Sequence, residues 1–358
     1  MRIARREFMT RLTAAAGLAM LTPRLAFAEP PPETSTIRLY QMSGICIAPQ
    51  YVAEEMLRSE GFTDVQYIAS PLDVGAPSGF YTLISTGGLD LSIAFIAPFV
   101  AQLDAGLPVT LLAGVHVGCF ELFATGGVRT VRDLKGRTVA VPERNSSHEL
   151  FVSSIAAHVG LDPRKDIRWV SHPAAESIQL LADSKIDAMI GFPPVPQEVR
   201  ARKIGHVLVN SAVDRPWSQY FCCLVGASRE FVRTHPVATK RALRALLKAT
   251  DVCALEPERV ARRLVDRGFT NRYDYALQTL KELPYNRWRE YDPEDAVRFY
   301  ALRLHESGLI RSSPQKIIAQ GTGLALPQRT EEGVEGVARV VGQGPGGETI
   351  RLQLRAAA

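Results

Sequence analysis

GGLDLSIAFIAPFVAQLDAGLPVTLLAG, residues 87–114, holds the unit that decides the fold. LDLSIAF (Leu89–Phe95) and VTLLAGV (Val109–Val115) are short, apolar runs of the kind that form buried strands. Between them, Pro98–Ala105 carries its apolar residues at helical spacing. Strand, helix and strand in this rhythm imply a largely parallel sheet covered by helices on both faces.

Working outward, the same rhythm precedes this unit. TIRLYQ (Thr36–Gln41) and DVQYI (Asp64–Ile68) read as strands, while Ala48–Arg58 and Ser78–Ser85 read as helices ended by Gly61 and by Gly87-Gly88. After it, CFELFAT (Cys119–Thr125) is a strand that leaves the first unit, and the pattern restarts. RTVAVP (Arg137–Pro142), DIRWV, DAMIGF (Asp187–Phe192) and HVLVN (His206–Asn210) alternate with helices at Ser147–Val159, Glu176–Asp183 and Pro193–Lys203. QYFCCLVG (Gln219–Gly226) carries the chain back, and from Arg229 onward it reads as helix. The predicted fold is α/β with two lobes, each a mainly parallel sheet flanked by helices, and a helical C-terminal part. Lobe I takes 36–125 plus 217–322, and lobe II takes 126–216.

The first twenty-eight residues read as an export leader. Arg5 and Arg6 in ARREFMT precede a ten-residue apolar run, Leu12–Leu21, and an Ala26-Phe27-Ala28 end. That run is half the length of about 20 residues that spans a bilayer. Paired arginines before Phe8 point to twin-arginine routing through the Tat machinery, with cleavage near Ala28 and a soluble periplasmic product. EPPPETS (29–35) is a polar linker. The leader contributes +4 of the chain's formal +5, so the pI near 9.0 does not argue for nucleic acid, and no basic run with interleaved aromatics follows.

Hydrophobic residues make up 46% and charged residues 22%, a globular composition. Five cysteines (Cys46, Cys119, Cys222, Cys223 and Cys253), scattered and without a CxxC, leave room for one disulfide but form no disulfide framework. HExxH, GxSxG and Walker patterns are missing, no GxGxxG follows a predicted strand, and the seven histidines show no ligand spacing. Neither catalytic residues, a metal site nor a cofactor is therefore expected.

Solutes of open α/β sheets bind beyond the carboxyl ends of strands, where helix N-termini aim N–H groups at them. Five segments qualify: Met42–Gln50, with Met42, Gly44, Ile45 and Cys46; Pro77–Thr82, with Phe80; Ala94–Pro98, with Phe95 and Ile96; Pro142–Leu150, with Asn145, Ser146 and Ser147; and Gly191–Pro196, with Phe192. Ser146 and Ser147 offer hydroxyls at a helix start carrying about half a positive charge, which suits an anionic head group. Ser146 with Glu149 also matches a capping box, which needs no ligand. Phe120, Trp217 and Tyr220, near the crossovers, are placed either to wall an aromatic ligand or to join the core.

Taken together, Gly87–Gly114, RTVRDLKGRTVAVPERNSSHELF (Arg129–Phe151) and ESIQLLADSKIDAMIGFPP (Glu176–Pro194) resemble the periplasmic substrate-binding proteins of ABC importers. The resemblance is to the nitrate/sulfonate/taurine and thiamine-pyrimidine-precursor family, and it runs from Ile37 to Gly321. It implies a type II binding-protein fold and a monomer that captures a small anionic or heteroaromatic solute and delivers it to a permease and its ATPase. Other readings of that fold are a sensor that presents its ligand to a membrane receptor, or a pyrimidine synthase using its own histidine and iron. The synthase's CCCFC-type motif has no clear counterpart in GCF (Gly118–Phe120) or FCC (Phe221–Cys223).

Residues 323–358 lack helical periodicity and are rich in glycine. Members of the resembled branch close with a helix similar to DWRFLNELKKELKA. A permitted back-translation of Gly323–Ala338, with synonymous third bases chosen for the purpose, yields that peptide and a stop when read one base later. The expectation is an irregular, frame-shifted tail.

Overall fold

A computed structural model describes residues 29–42, 44–69 and 77–321, together with the backbone of 324–325, 339–343 and 349–353. The proposed leader lies outside the described residues. The first sheet contains β1 (Thr36–Gln41), β2 (Asp64–Ala69), β3 (Leu91–Phe95) and β4 (Val109–Val117). The second contains β5 (Glu121–Ala124), β6 (Arg137–Val141), β7 (Ile167–Ser171), β8 (Ala188–Gly191) and β9 (His206–Asn210). The chain then returns to the first sheet as β10 (Phe221–Ser228).

Both sheets have one plan. The orders are β2-β1-β3-β10-β4 and β7-β6-β8-β5-β9. Three parallel strands lead each sheet, and the strand adjoining a crossover, β10 or β5, is inserted antiparallel to its neighbours. The strand ends that face the crossovers are thereby brought to one cleft. β3, β4 and β10 are buried along their whole length, which explains their unbroken apolar sequence.

Two crossovers, residues 118–120 and 211–220, join the sheets, and they touch backbone to backbone. Gly118 has φ +60°, and a Cβ there would lie 2.2 Å from the Ala212 Cα, so only glycine fits. The Ser211 hydroxyl accepts from the N–H groups of Cys119 (3.0 Å) and Phe120 (2.9 Å) and donates to the Phe120 carbonyl (2.9 Å). One continuous core runs from the first sheet through this junction into the second.

Helices from Arg229 to Gly321 cover the first sheet and reach the second lobe. The helix Pro293–Glu306 sends Arg303 to His158 (3.2 Å), and Glu282 accepts from Arg200 (2.6 Å) and Gln197 (3.1 Å). The tail is not irregular throughout. Leu324–Ala325, Arg339–Gln343 and Thr349–Gln353 pair as an antiparallel three-stranded sheet, β11 to β13. RVVGQ and TIRLQ hold β-branched residues suited to strands, a signal that a search for the helical period passes over.

Candidate functional site

The cleft between the sheets holds a cavity of about 60 Å³. At about 10–15 Å³ per water-sized group, it accommodates roughly four to six such groups, the size of one small ring. Its floor and walls come from the ends of β1 and β3, from the crossovers, and from the loops after β6 and β8.

Met42, Cys46, Phe80, Phe95, Phe120, Ser147 and Phe192, all named from sequence, line it. Ile47, Tyr81 and Ala94, inside the nominated segments though not singled out, line it as well, and so do Tyr40, Cys119 and Cys223, which lie outside them. Tyr40 closes a strand rather than opening a loop, and Cys119 and Cys223 look like ordinary buried residues of strand-like sequence.

The remaining named residues sit elsewhere. Gly44 lies under the Phe192 ring, where a Cβ would meet the ring at 3.4 Å. The N–H of Ile45 donates across the cleft to the Pro193 carbonyl (3.2 Å). Ile96 is core. Trp217 is buried against Phe151, Phe299 and Tyr300, and Tyr220 stacks on Phe299 with ring centres 4.0 Å apart. Both aromatics fix the crossover rather than wall the cavity.

The wall is held by buried polar groups. Gln50 donates to the Tyr40 carbonyl (2.6 Å) and accepts from Ser92 Oγ (3.0 Å) and Ile93 N (2.8 Å), tying the ends of β1 and β3 together. The Tyr285 hydroxyl donates to the Cys46 carbonyl (2.7 Å), fixing the turn Ile45–Ile47.

The helix Ser147–His158 forms half of the capping box: Ser146 caps it, but the Glu149 carboxylate reaches Asn145 N instead of the Ser146 N–H, which donates to the Glu143 carbonyl. Ser146 is fully buried, and its Oγ accepts from Glu149 N at 3.4 Å. Glu149 in turn accepts from Arg144 (2.9 and 3.0 Å) and from Asn145 N, so the one cation of this loop is already paired. Asn145 is exposed at positive φ in the turn, and only Ser147 reaches the cavity. His148, buried between Phe120 and Phe192, is held neutral, its pKa pushed down to about 3 by burial.

No lysine, arginine or histidine stands on the cavity wall among the described residues. Of the polar groups named for an anionic head group, Ser146 and Arg144 are engaged at the helix start itself and Ser147 remains on the cavity wall.

A second feature is a gathering of cysteine and histidine donors that spacing in the sequence does not announce. Cys46, His116 and Cys223 place a ring nitrogen and two sulfurs within 4.8 Å of one another, and Cys119, Cys222 and Cys223 do the same with three sulfurs. All five cysteines are free thiols. Hydrogen bonds from Cys119, Cys222 and Cys46 pull the Cys223 thiol well below its ordinary range, whereas burial holds Cys119 and Cys222 up. Sequence spacing could not show this, since Cys119 and Cys222 are 103 residues apart.

Comparison with known proteins places this geometry. Over 140 residues the chain is 26% identical to the bicarbonate-binding protein CmpA of Synechococcus elongatus, covering 38% of this chain and 31% of that protein. The chain thus spans under a third of that relative's length. Over 233 residues it is 22% identical to the 4-amino-5-hydroxymethyl-2-methylpyrimidine phosphate synthase THI12 of Saccharomyces cerevisiae, covering 61% of this chain and 67% of the enzyme. The alkanesulfonate-binding protein SsuA from Xanthomonas axonopodis pv. citri, bound to MOPS, superposes with a TM-score of 0.61 at 17% identity, over 80% of this chain and 96% of that one. At such identity the likeness establishes the fold, that of the ABC periplasmic substrate-binding proteins. The model of the NMT1-like family matches residues 31–265, and the chain belongs to that family.

Proposed function

We propose that the chain is an exported solute-binding protein that closes its lobes over a small, uncharged heteroaromatic solute and delivers it to an ABC permease. The observation that carries this reading is the cavity itself. It lies where the strand ends of both sheets meet, and its wall combines Phe80, Phe95, Phe120 and Phe192 with hydroxyls and thiols but no cation. Flat aromatic walls favour a ring that stacks, at about 0.5–1.5 kcal/mol per pair beyond area burial. An anion without a partner would meet a large desolvation cost there. The binding proteins among the relatives support the capture role, and the family supports the two-lobed clamp.

Binding contacts from both lobes favour closure, and the inter-lobe bonds of Glu282 and Ile45 describe a closed arrangement. The test is a thermal-shift screen of neutral pyrimidines and related heterocycles against sulfonates, nitrate and bicarbonate. A ligand at 100 times its Kd stabilises the folded state by about 2.7 kcal/mol. Stabilisation by neutral rings is expected; stabilisation by the anions alone would overturn the reading of the solute.

The synthase likeness favours a second reading, an enzyme on this fold. Recovery of the bound solute chemically unchanged supports capture, and recovery as a product supports the enzyme.

A further inference from the structure

We propose that Cys46, His116 and Cys223, with Cys119 and Cys222 beside them, form a site for one thiophilic d10 cation, Zn²⁺ or Cu⁺, at the floor of the cleft. The donor set is sulfur-rich with one imidazole, the chemistry that selects these ions over hard cations. Tetrahedral zinc with sulfur at about 2.3 Å separates its ligands by about 3.8 Å, so donors gathered within 4.8 Å need only a small contraction to share one ion.

His116 supplies the independent observation. It is fully buried. Its Nδ1 lies 3.0 Å from the Gly118 carbonyl and 3.3 Å from that of Val117, and since a carbonyl only accepts, Nδ1 carries the proton. The lone pair is then on Nε2, which is buried and accepts no hydrogen bond of good geometry, with the Cys223 thiol as its polar neighbour. Metal-binding histidines are oriented in this way, by donating the other ring N–H to a carbonyl. A buried acceptor left without a good hydrogen bond is otherwise a cost to the fold.

The thiols complete the site. Cys223 belongs to both triads, so it is the shared ligand. Cys119 and Cys222 stand 3.0 Å apart at sulfur, supplying further donors on the crossover side. Cys46, Cys119 and Cys223 all line the cavity, so a bound ion faces the solute space. On binding, each ligating thiol releases its proton to solvent and the ion takes its place; no oxidation or reduction is involved. Two thiolates neutralise the charge of a bound Zn²⁺, so the loaded site adds no net positive charge to the cleft wall and leaves the reading of an uncharged solute standing.

The experiment uses the whole chain, reduced and desalted under nitrogen. It is titrated with Zn²⁺ against a chromophoric chelator and, separately, with Cu⁺, read by near-ultraviolet thiolate-to-copper absorption. One ion held per chain is expected, with affinity lowered about 100-fold or more in Cys223→Ser. Cys253→Ser, which removes a buried cysteine outside the cluster, is expected to bind as the parent does. Cys46→Ser provides the decision if Cys223→Ser fails to fold, as judged by circular dichroism. Retention of either ion in this pattern supports the site. Failure of the reduced chain to hold either ion against the chelator, or binding undiminished in the folded Cys223→Ser or Cys46→Ser chain, overturns it. A Cys119–Cys222 disulfide that resists reduction and leaves no ion bound overturns it equally.

Discussion

The helix start at Arg144–Glu149 reaches the cleft through Ser147, and the crossover floor at His116–Glu121 with Cys222 and Cys223 reaches it through Cys119, Phe120 and Cys223, yet they use their polar atoms in opposite ways. At the helix start, Ser146 caps Glu149 N, and Glu149 takes both Arg144 and Asn145 N. The Ser146 hydroxyl and the charges are consumed within one short segment, and Ser147 alone is left to the cavity. At the floor, His116 Nε2 and Glu121 Oε2 are buried without hydrogen-bond partners, and the thiols have mainly one another. Polar capacity satisfied locally holds a fold together, and capacity left over in a buried place is available for chemistry. The segment with the recognisable motif thus spends most of its polar atoms on itself, and the one that reads as plain strand keeps buried polar atoms without hydrogen-bond partners.

The largest effect is expected at the junction that builds the floor. Gly118→Val forces a side chain into the Ala212 backbone at positive φ, and unfolding should show a loss on the order of 3 kcal/mol. A near-neutral result would mean that the crossovers do not pack as described.

Glu121, just beyond Phe120, sharpens the same comparison through pH. Its carboxyl is pushed up to about 7, chiefly by burial, with Arg200 opposing and Glu282 adding to the shift. A carboxyl raised on folding keeps its proton longer in the folded chain. Its contribution is full below the unfolded value near 4.5 and is lost as pH rises through 7. Glu121→Gln should therefore gain on the parent between pH 5 and pH 8, reaching about 3 kcal/mol at pH 8 in denaturant titrations. A stability difference independent of pH would show that this carboxyl ionises normally.

At the helix start the two serines should separate. Ser146→Ala should cost about 1 kcal/mol of stability and leave solute affinity alone. Ser147→Ala should leave stability alone and weaken the solute by about 0.5–1.5 kcal/mol. Calorimetry showing that Ser146 governs affinity would restore the helix start as the binding site.

Much of the fold was legible. β1 and β9 begin and end where the alternating β-branched runs TIRLYQ and HVLVN do, because local pattern fixes a strand. The strand-end rule led to Met42, Cys46, Phe80, Phe95, Ser147 and Phe192, since topology alone places those loops. The cysteine floor was not legible, because β4, the first crossover and β10 meet only after two lobes form. The tail's strands were missed for want of a helical period. We propose, with the smallest expected effect on the site, that residues 323–358 are nonetheless out of frame. Resequencing should reveal codons that encode DWRFLNELKKELKA one base on, and codons unable to do so would end the idea.

The central claim, capture of an uncharged ring by a cation-free cleft, is tested most directly by titration calorimetry of the parent chain with the heterocycle selected by screening, at low and high salt. The account predicts an affinity unchanged by salt, a negative heat-capacity change from apolar burial, and no comparable binding of sulfonate, nitrate or bicarbonate. Affinity that falls as salt rises, or an anion bound as tightly as the ring, would contradict it.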